Sequence, residues 1–516
     1  MTANRRIFLN IFATYMRSAY TLALGLLTAR WLLAALGQTD YGLFGVVGGL
    51  IAFVTFFNTL LSGAVSRYYA VAVGFARTEG NAERGLAECR RWFTAAVTLH
   101  TVVPLVLVAI GEPLGELAVR SVLVIPPDRL APCLWVWRCA CLTAFVGMAN
   151  VPLRAMYIAR QEIAEMTVYT FLEATSNAAL LLWMVAHPGD WLARYAFGHC
   201  LIVMMPKILM GVRAFLAFPE CRIRLDCLAC GRDIRELAAF AGWNAFEAAG
   251  QLLRVQGAQI LINRLLGPVQ NASMTLASRL SERANVFSAS IVAALSPAVA
   301  GAWGAGTRDR MAALADCASK FSALLSVMVV VPLVLEAKEV LLLWLKTPPE
   351  GAAFLCVSIA LGIVPAKMTE GSHLAIVASG RVAGYQLCSG LVQVGLLVAI
   401  AVLMFAGFGL AAVGGVLLAS GAATAVVRVV FARRAVDFPP RRWLTRIALP
   451  IVAATTVAAV CGVVPRTLVA PSFWRVVLTV LAVESVLLPF SWWIVFSDEE
   501  REYVRNRLSR LARRRR

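Results

Sequence analysis

Fourteen apolar runs, each close to the length of a membrane-crossing helix, follow one another through this chain. They lie near 8–34, 42–65, 92–111, 132–152, 166–187, 195–217, 237–262, 271–298, 313–335, 351–377, 384–406, 409–431, 444–464 and 473–496. A bilayer core is crossed by about 20 apolar residues in helical form. Lipid cannot solvate backbone amides and carbonyls, so runs of this kind must become helices. Only 15% of the residues are charged, where a soluble domain carries about a quarter. With a mean hydropathy of +0.75, no separate soluble domain is expected. The first run is too long for a signal-peptide core and has no small-residue cleavage pattern after it, so it reads as a retained span.

The net charge of +19 is distributed as in a membrane protein rather than a nucleic-acid binder. Arginines crowd alternate short loops, at Arg5–Arg6, Arg84–Arg90–Arg91, Arg154–Arg160, Arg222–Arg235, Arg308–Arg310, Arg381 and Arg433–Arg442, and the tail Arg513–Arg516. The intervening loops hold few basic residues. The positive-inside rule then puts both termini in the cytoplasm, with 111–130 and 336–350 outside, and an even number of spans fits. Most of the twelve cysteines lie inside apolar runs and read as small hydrophobes. Cys221, Cys227 and Cys230 lack a nearby histidine and read as a reduced trio rather than a zinc site.

Several arginines stand where lipid should be. Arg17 falls roughly 15 Å along the first span at 1.5 Å per residue, too deep to snorkel. Arg254 lies in the seventh span; Arg279 and Arg283 lie one turn apart in the eighth. A charge at the bilayer centre costs roughly 2.5 kcal/mol or more, so such residues point to a water-filled interior or a partner. A cationic interior suits an anionic cargo. In the seventh span Asn244, Glu247, Gln251 and Arg254 recur at steps of three, four and three, on one helix face. Gln256, Gln259 and Asn263 form a second stripe. Each stripe reads either as cavity lining or as a hydrogen-bonded seam between helices. Glu247 and Glu173 are the carboxylates placed to load a proton or sodium; Glu370, with Lys367 and His373 close by, and Glu484 are further acids in apolar runs. No P-loop, paired-acid metal motif or serine–histidine constellation is present, so neither an ATPase nor an enzyme is expected, and no cofactor beyond a coupling H⁺ or Na⁺.

An internal echo accompanies these features. Leu36-Gly37 closes the first span and Leu266-Gly267 the seventh, each followed by a polar turn and another helix. The expected organisation is a six-helix lobe over 1–217, a cytoplasmic linker at 218–236, a second, pseudo-symmetric lobe over 237–435, two extra helices over 436–498 and a basic tail at 499–516. The fold class is an all-helical polytopic membrane protein with a cavity between repeats.

The pattern Asn10, Arg17, Ala29-Arg30, Leu36-Gly37, then Asp40-Tyr41-Gly42-Leu43-Phe44, resembles the flippases that export O-antigen and capsule repeat units. Leu261-Ile262-Asn263 with Leu266-Gly267, and Ser296-Pro297, are similar to the second-lobe pattern of that family. It belongs to the multidrug/oligosaccharidyl-lipid/polysaccharide exporter superfamily. The resemblance implies an undecaprenyl-pyrophosphate-linked sugar as cargo, flipped by alternating access across the bacterial inner membrane. Its pyrophosphate would meet Arg17, Arg254, Arg279 and Arg283, with Asn244 and Gln251 beside them. Membrane lipids and a polysaccharide polymerase are the expected partners. The last two helices are shared in number with lipid II flippases, which keeps lipid II open as a cargo. A drug or cation antiporter and a membrane-embedded glycosyltransferase or ligase are the remaining alternatives.

Overall fold

Glycines in the left-handed region decide where the long apolar stretches break. The structure, a computed structural model, describes residues 3–76, 82–160, 162–222 and 242–496, with 498, 501 and 502. Helix α1 (Ala3–Ala76) is interrupted at Gly37, where φ is +76°, a conformation that costs glycine little and other residues much. The eleventh and twelfth runs separate in the same way, at Gly407 (φ +92°) and Gly409 (φ +54°), between α12 (Ala383–Leu403) and α13 (Gly409–Val436). The other helices are α2 (Ala82–Leu117), α3 (Leu130–Ala149), α4 (Val151–Ala159), α5 (Ile163–Ala186), α6 (Leu192–Ala217), α7 (Gly242–Leu266), α8 (Pro268–Gly304), α9 (Arg308–Leu345), α10 (Ala352–Lys367), α11 (Glu370–Ser379), α14 (Leu449–Leu468) and α15 (Phe473–Ile494).

Among the described residues nine helical runs are long and apolar enough to cross a membrane, and α10 with α11, bent by 49°, makes a tenth. Two of the nine each hold two of the fourteen sequence runs. Helices α7 and α8, which carry the seventh and eighth runs, are not among these. The chain is an all-helical, multi-pass membrane protein. Two stretches differ from expectation. Residues 111–130, read as the longest outer loop, are helical through Val122, first in α2 and then in the wider turn Ala118–Val122. Glu116 accepts from Arg120 one turn on, at 2.8 Å, and from Arg138 of α3 at 3.2 Å, which holds the helix together past its apolar part. Likewise 336–350 is helical to Leu345, with a break at Glu336 four residues after Pro332.

The chain divides into two compact units, Met1–Thr275 and Leu276–Arg516, so the boundary falls within α8. In the first unit, the half of α1 after Gly37 packs through glycines. The place of a Cβ on Gly42 is taken by the carbonyl of Pro268, and that on Gly45 by the side chain of Thr275. Asn271 donates to the Gly42 carbonyl at 3.0 Å. Trp137 is buried where a Cβ on Gly115 would stand, and its indole N–H donates to the Glu112 carbonyl at 2.9 Å. In the second unit, Gly421 of α13 meets the carbonyl of Gly362 on α10, and Gly371 of α11 meets that of Ala315 on α9. Such backbone-close contacts are how helices attract one another where lipid is as apolar as leucine.

The last two helices are fastened to α9 at both ends. At one end Arg475 of α15 donates to Glu336 at 2.8 Å and Thr479 donates to the same carboxylate at 3.0 Å. Arg475 also pairs with Glu339 at 3.3 Å. At the other end Arg442 donates twice to Asp316, at 2.8 and 3.1 Å, and Trp443 donates to the Met368 carbonyl at 3.0 Å.

Candidate functional site

Helix α7 carries its two polar stripes on opposite sides, because seven residues nearly close two turns whereas five or nine do not. The stripe of Gln256, Gln259 and Asn263 is packed on protein. Asn263 accepts from the Val124 amide at 2.9 Å. The side-chain oxygens of Gln256 and Gln259 stand 2.6 and 3.0 Å from the place of a Cβ on Gly49, so the missing side chain makes their room. This stripe packs on protein, with a hydrogen bond at Asn263 and none to the Gln259 side-chain oxygen. On the other stripe Gln251 is exposed, and Glu247 and Arg254 are half-buried. Neither Glu247 nor Arg254 is isolated; both take part in polar or electrostatic contacts. An exposed polar face on a membrane-crossing helix cannot face lipid and must face water or another polar surface.

Glu173, the second coupling candidate, sits elsewhere in the first unit, on the wall of a cavity of about 310 Å³ lined by Thr21, Asn150, Arg154, Tyr169, Glu173 and Lys207 among others. Lys207 donates to the Val203 carbonyl at 2.9 Å and reaches Glu173 at 3.4 Å. Asn150 is held by donating to the Lys207 carbonyl at 2.9 Å.

In the second unit Arg279 lies half-buried on α8 and is also engaged in a polar or electrostatic contact. The side chains of Arg17, Asn244, Glu282 and Arg283 lie outside the described residues. At the bend between α10 and α11, Glu370 is buried and carries two cations: Lys367 at 2.9 Å and Arg428 of α13 at 3.4 Å. Arg428 also donates to the Ala366 carbonyl at 3.1 Å, and His373 is hydrogen-bonded to Tyr385 at 3.0 Å. Glu370 is thus part of a buried ion-pair cluster. Lys207 and Arg428 were missed in the sequence reading. Each is a charge inside an apolar run, 195–217 and 409–431, the same signal that singles out Arg17.

Cys221 is fully buried, and that burial, with the Glu220 carboxylate beside it, pushes its thiol up to about 12. It stays protonated at neutral pH. Cys227 and Cys230 lie outside the described residues. No group of metal-ligating side chains occurs among the described residues.

No family model matches the chain, and no curated protein does. Solved structures do. An inward-facing multidrug resistance MATE family transporter of the MOP superfamily aligns with a TM-score of 0.61 at 15% identity, over 81% of this chain and 94% of that one. The lipid II flippase MurJ, in an inward closed conformation, aligns with 0.61 at 12% identity, over 94% of this chain and 98% of the other. A MOP superfamily transporter from Pyrococcus furiosus, described as having a binding pocket of reversed polarity, aligns with 0.59 at 14% identity, over 84% and 95%. The chain has the fold these proteins share.

Proposed function

We propose that this protein is a flippase. It carries an undecaprenyl-pyrophosphate-linked oligosaccharide, an O-antigen, capsule or exopolysaccharide repeat unit, from the cytoplasmic to the periplasmic leaflet of the bacterial inner membrane, and makes and breaks no covalent bond. The observation that carries the reading is the face of α7 with Glu247, Gln251 and Arg254. There Gln251 is exposed and Glu247 and Arg254 half-buried, while the opposite polar stripe is used in packing. Together with Arg17, Arg279 and Arg283 it offers the pyrophosphate guanidinium groups, whose planar donors match pairs of phosphate oxygens. Asn244 and Gln251 add neutral donors. The polyprenyl tail stays in lipid. Alternating access between two pseudo-symmetric lobes moves the headgroup, both termini remaining cytoplasmic.

A second cargo, lipid II, is favoured by one observation: the lipid II flippase aligns with 94% of this chain, the multidrug transporter with 81%. Both cargoes present a pyrophosphate. A cationic drug is disfavoured, because arginines in a low-dielectric interior repel it.

With no nucleotide motif, direction comes from an ion gradient or from consumption of the product. Glu247 is the first coupling carboxylate and Glu173 the second. In proteoliposomes loaded with defined lipid-linked sugars, wild type is expected to flip the oligosaccharide diphosphate carrier. Glu247→Gln is expected to lose dependence on pH or sodium while still binding cargo. Unchanged transport by Glu247→Gln across pH 6 to 8, with and without sodium, removes the coupling role. No flipping of any pyrophosphate carrier by wild type removes the cargo reading.

A further inference from the structure

The cavity of about 310 Å³ within the first unit has no α7 residue in its lining and has a chemistry of its own. Its volume is at the lower end for small-ligand pockets. Two cations, Lys207 and Arg154, face one carboxylate, Glu173, and the remaining polar groups, Thr21, Asn150, Tyr169 and Thr170, are neutral. Glu165, which accepts from Tyr169 of the wall at 3.5 Å, is already paired with Arg213 at 3.4 Å. The cavity therefore carries an excess of positive charge.

The pairing inside it is loose. Lys207 has three donors. One is spent on the Val203 carbonyl at 2.9 Å, and a second reaches Glu173 only at 3.4 Å. A charge-assisted bond of full strength is shorter, about 2.7–2.9 Å. The third donor remains. Arg154 is exposed at the edge of the cavity and forms no ion pair among the described residues. Asn150 is fixed by its bond to the Lys207 carbonyl, so the wall that presents the lysine is rigid. A metal cation would have to share the carboxylate with a lysine and approach an arginine, which like-charge repulsion opposes. An anion meets the opposite situation: it relieves the excess charge and offers Lys207 and Arg154 shorter contacts than Glu173 provides.

We propose that this cavity binds a phosphate or pyrophosphate group, held by Lys207 and Arg154, with Glu173 as the internal counter-ion that gives way when the anion arrives. Arg154 belongs to the basic segment read as cytoplasmic, so the group is taken from that side. The source is either a lipid headgroup or a free anion.

The test is equilibrium binding to the purified full chain with two probes. Inorganic pyrophosphate is titrated in detergent; phosphatidic acid is presented in nanodiscs otherwise made of phosphatidylcholine. Wild type is expected to bind at least one. Lys207→Gln and Arg154→Gln are each expected to weaken binding by about tenfold or more, the worth of a lost charge-assisted contact. Glu173→Gln is expected to tighten it, a sign that a merely structural ion pair does not produce. Lys207→Arg keeps the charge and is expected to bind within about threefold of wild type, which holds the test open if Lys207→Gln fails to fold. Binding of pyrophosphate in detergent identifies the free anion as sufficient; binding seen only in the discs identifies the headgroup. The proposal is overturned if wild type binds neither probe, if the Lys207 and Arg154 variants bind as wild type does, or if Glu173→Gln weakens binding. Repeating the titrations in Arg254→Ala separates this cavity from the α7 face: the component sensitive to Lys207 persists there whatever becomes of transport.

Discussion

Truncating Arg475 to alanine is expected to destabilise the protein by about 3–5 kcal/mol, the usual cost of stranding one member of a buried ion pair. Its partner, Glu336, has a side chain with 0% exposure, and only Thr479 and a distant Arg466, at 4.0 Å, would remain to it. The carboxylate cannot swing to water, because it stands at the break in α9 where α15 covers it. The loss also unfastens α15 from α9 at one end. Equilibrium unfolding in detergent measures the effect. The double variant Glu336→Gln with Arg475→Met removes both charges and is expected to recover most of the stability, since a buried pair and a well-packed apolar replacement are often nearly equivalent. An Arg475→Ala variant within about 1 kcal/mol of wild type, the range of an exposed pair, would mean that the fastening carries little energy.

Arg254→Ala is expected to reduce flipping of a pyrophosphate carrier by about thirty- to several-thousandfold, the roughly 2–5 kcal/mol lost when one partner of a desolvated charge pair is truncated. Membrane insertion and stability should change little, because the face of α7 that bears Arg254 is not the face that packs on Gly49 and Val124. Arg254→Lys distinguishes two roles. If only charge is needed, lysine restores much of the activity. If the guanidinium grips two phosphate oxygens, lysine is nearly as damaging as alanine. Gln259→Ala, on the packed stripe, is the comparison: it should affect stability more than cargo affinity. Transport by Arg254→Ala at wild-type rates would remove Arg254 from the cargo site.

The helices were legible because lipid leaves the backbone no choice, and because apolar length and glycine punctuation are local properties. Gly37 and Gly407 mark their breaks in the sequence and take positive φ in the structure. The seventh and eighth runs were legible as helices although polar residues interrupt them. What spacing alone left open was which stripe of α7 packs, since that depends on Gly49 and Val124, far away in the chain. The charged partners were hidden for the same reason. Arg475 and Glu336 are 139 residues apart, and Arg442 and Asp316 are 126 apart, so no local pattern joins them. Lys207, Arg428 and Arg475 each interrupt an apolar run as plainly as Arg17 does. An arginine with a buried carboxylate waiting for it and an arginine waiting for a ligand look alike until the partner is found. The helical continuation through 111–122 was obscured by Gly111 and Pro113, which read as a turn, while Arg120 and Arg138 on Glu116 sustain the helix.

The central claim is the proposal that Arg254 and Arg279 are each reached by water and by a pyrophosphate-bearing cargo. Single cysteines at 254 and 279, in a cysteine-depleted background, put it to the test when reacted in inverted membrane vesicles with a membrane-impermeant thiol reagent. Both positions are predicted to label, and both to be protected by a polyprenyl-pyrophosphate sugar but not by the same lipid with its pyrophosphate removed. Failure of both to label, or labelling that the pyrophosphate carrier leaves unchanged at both, would contradict it.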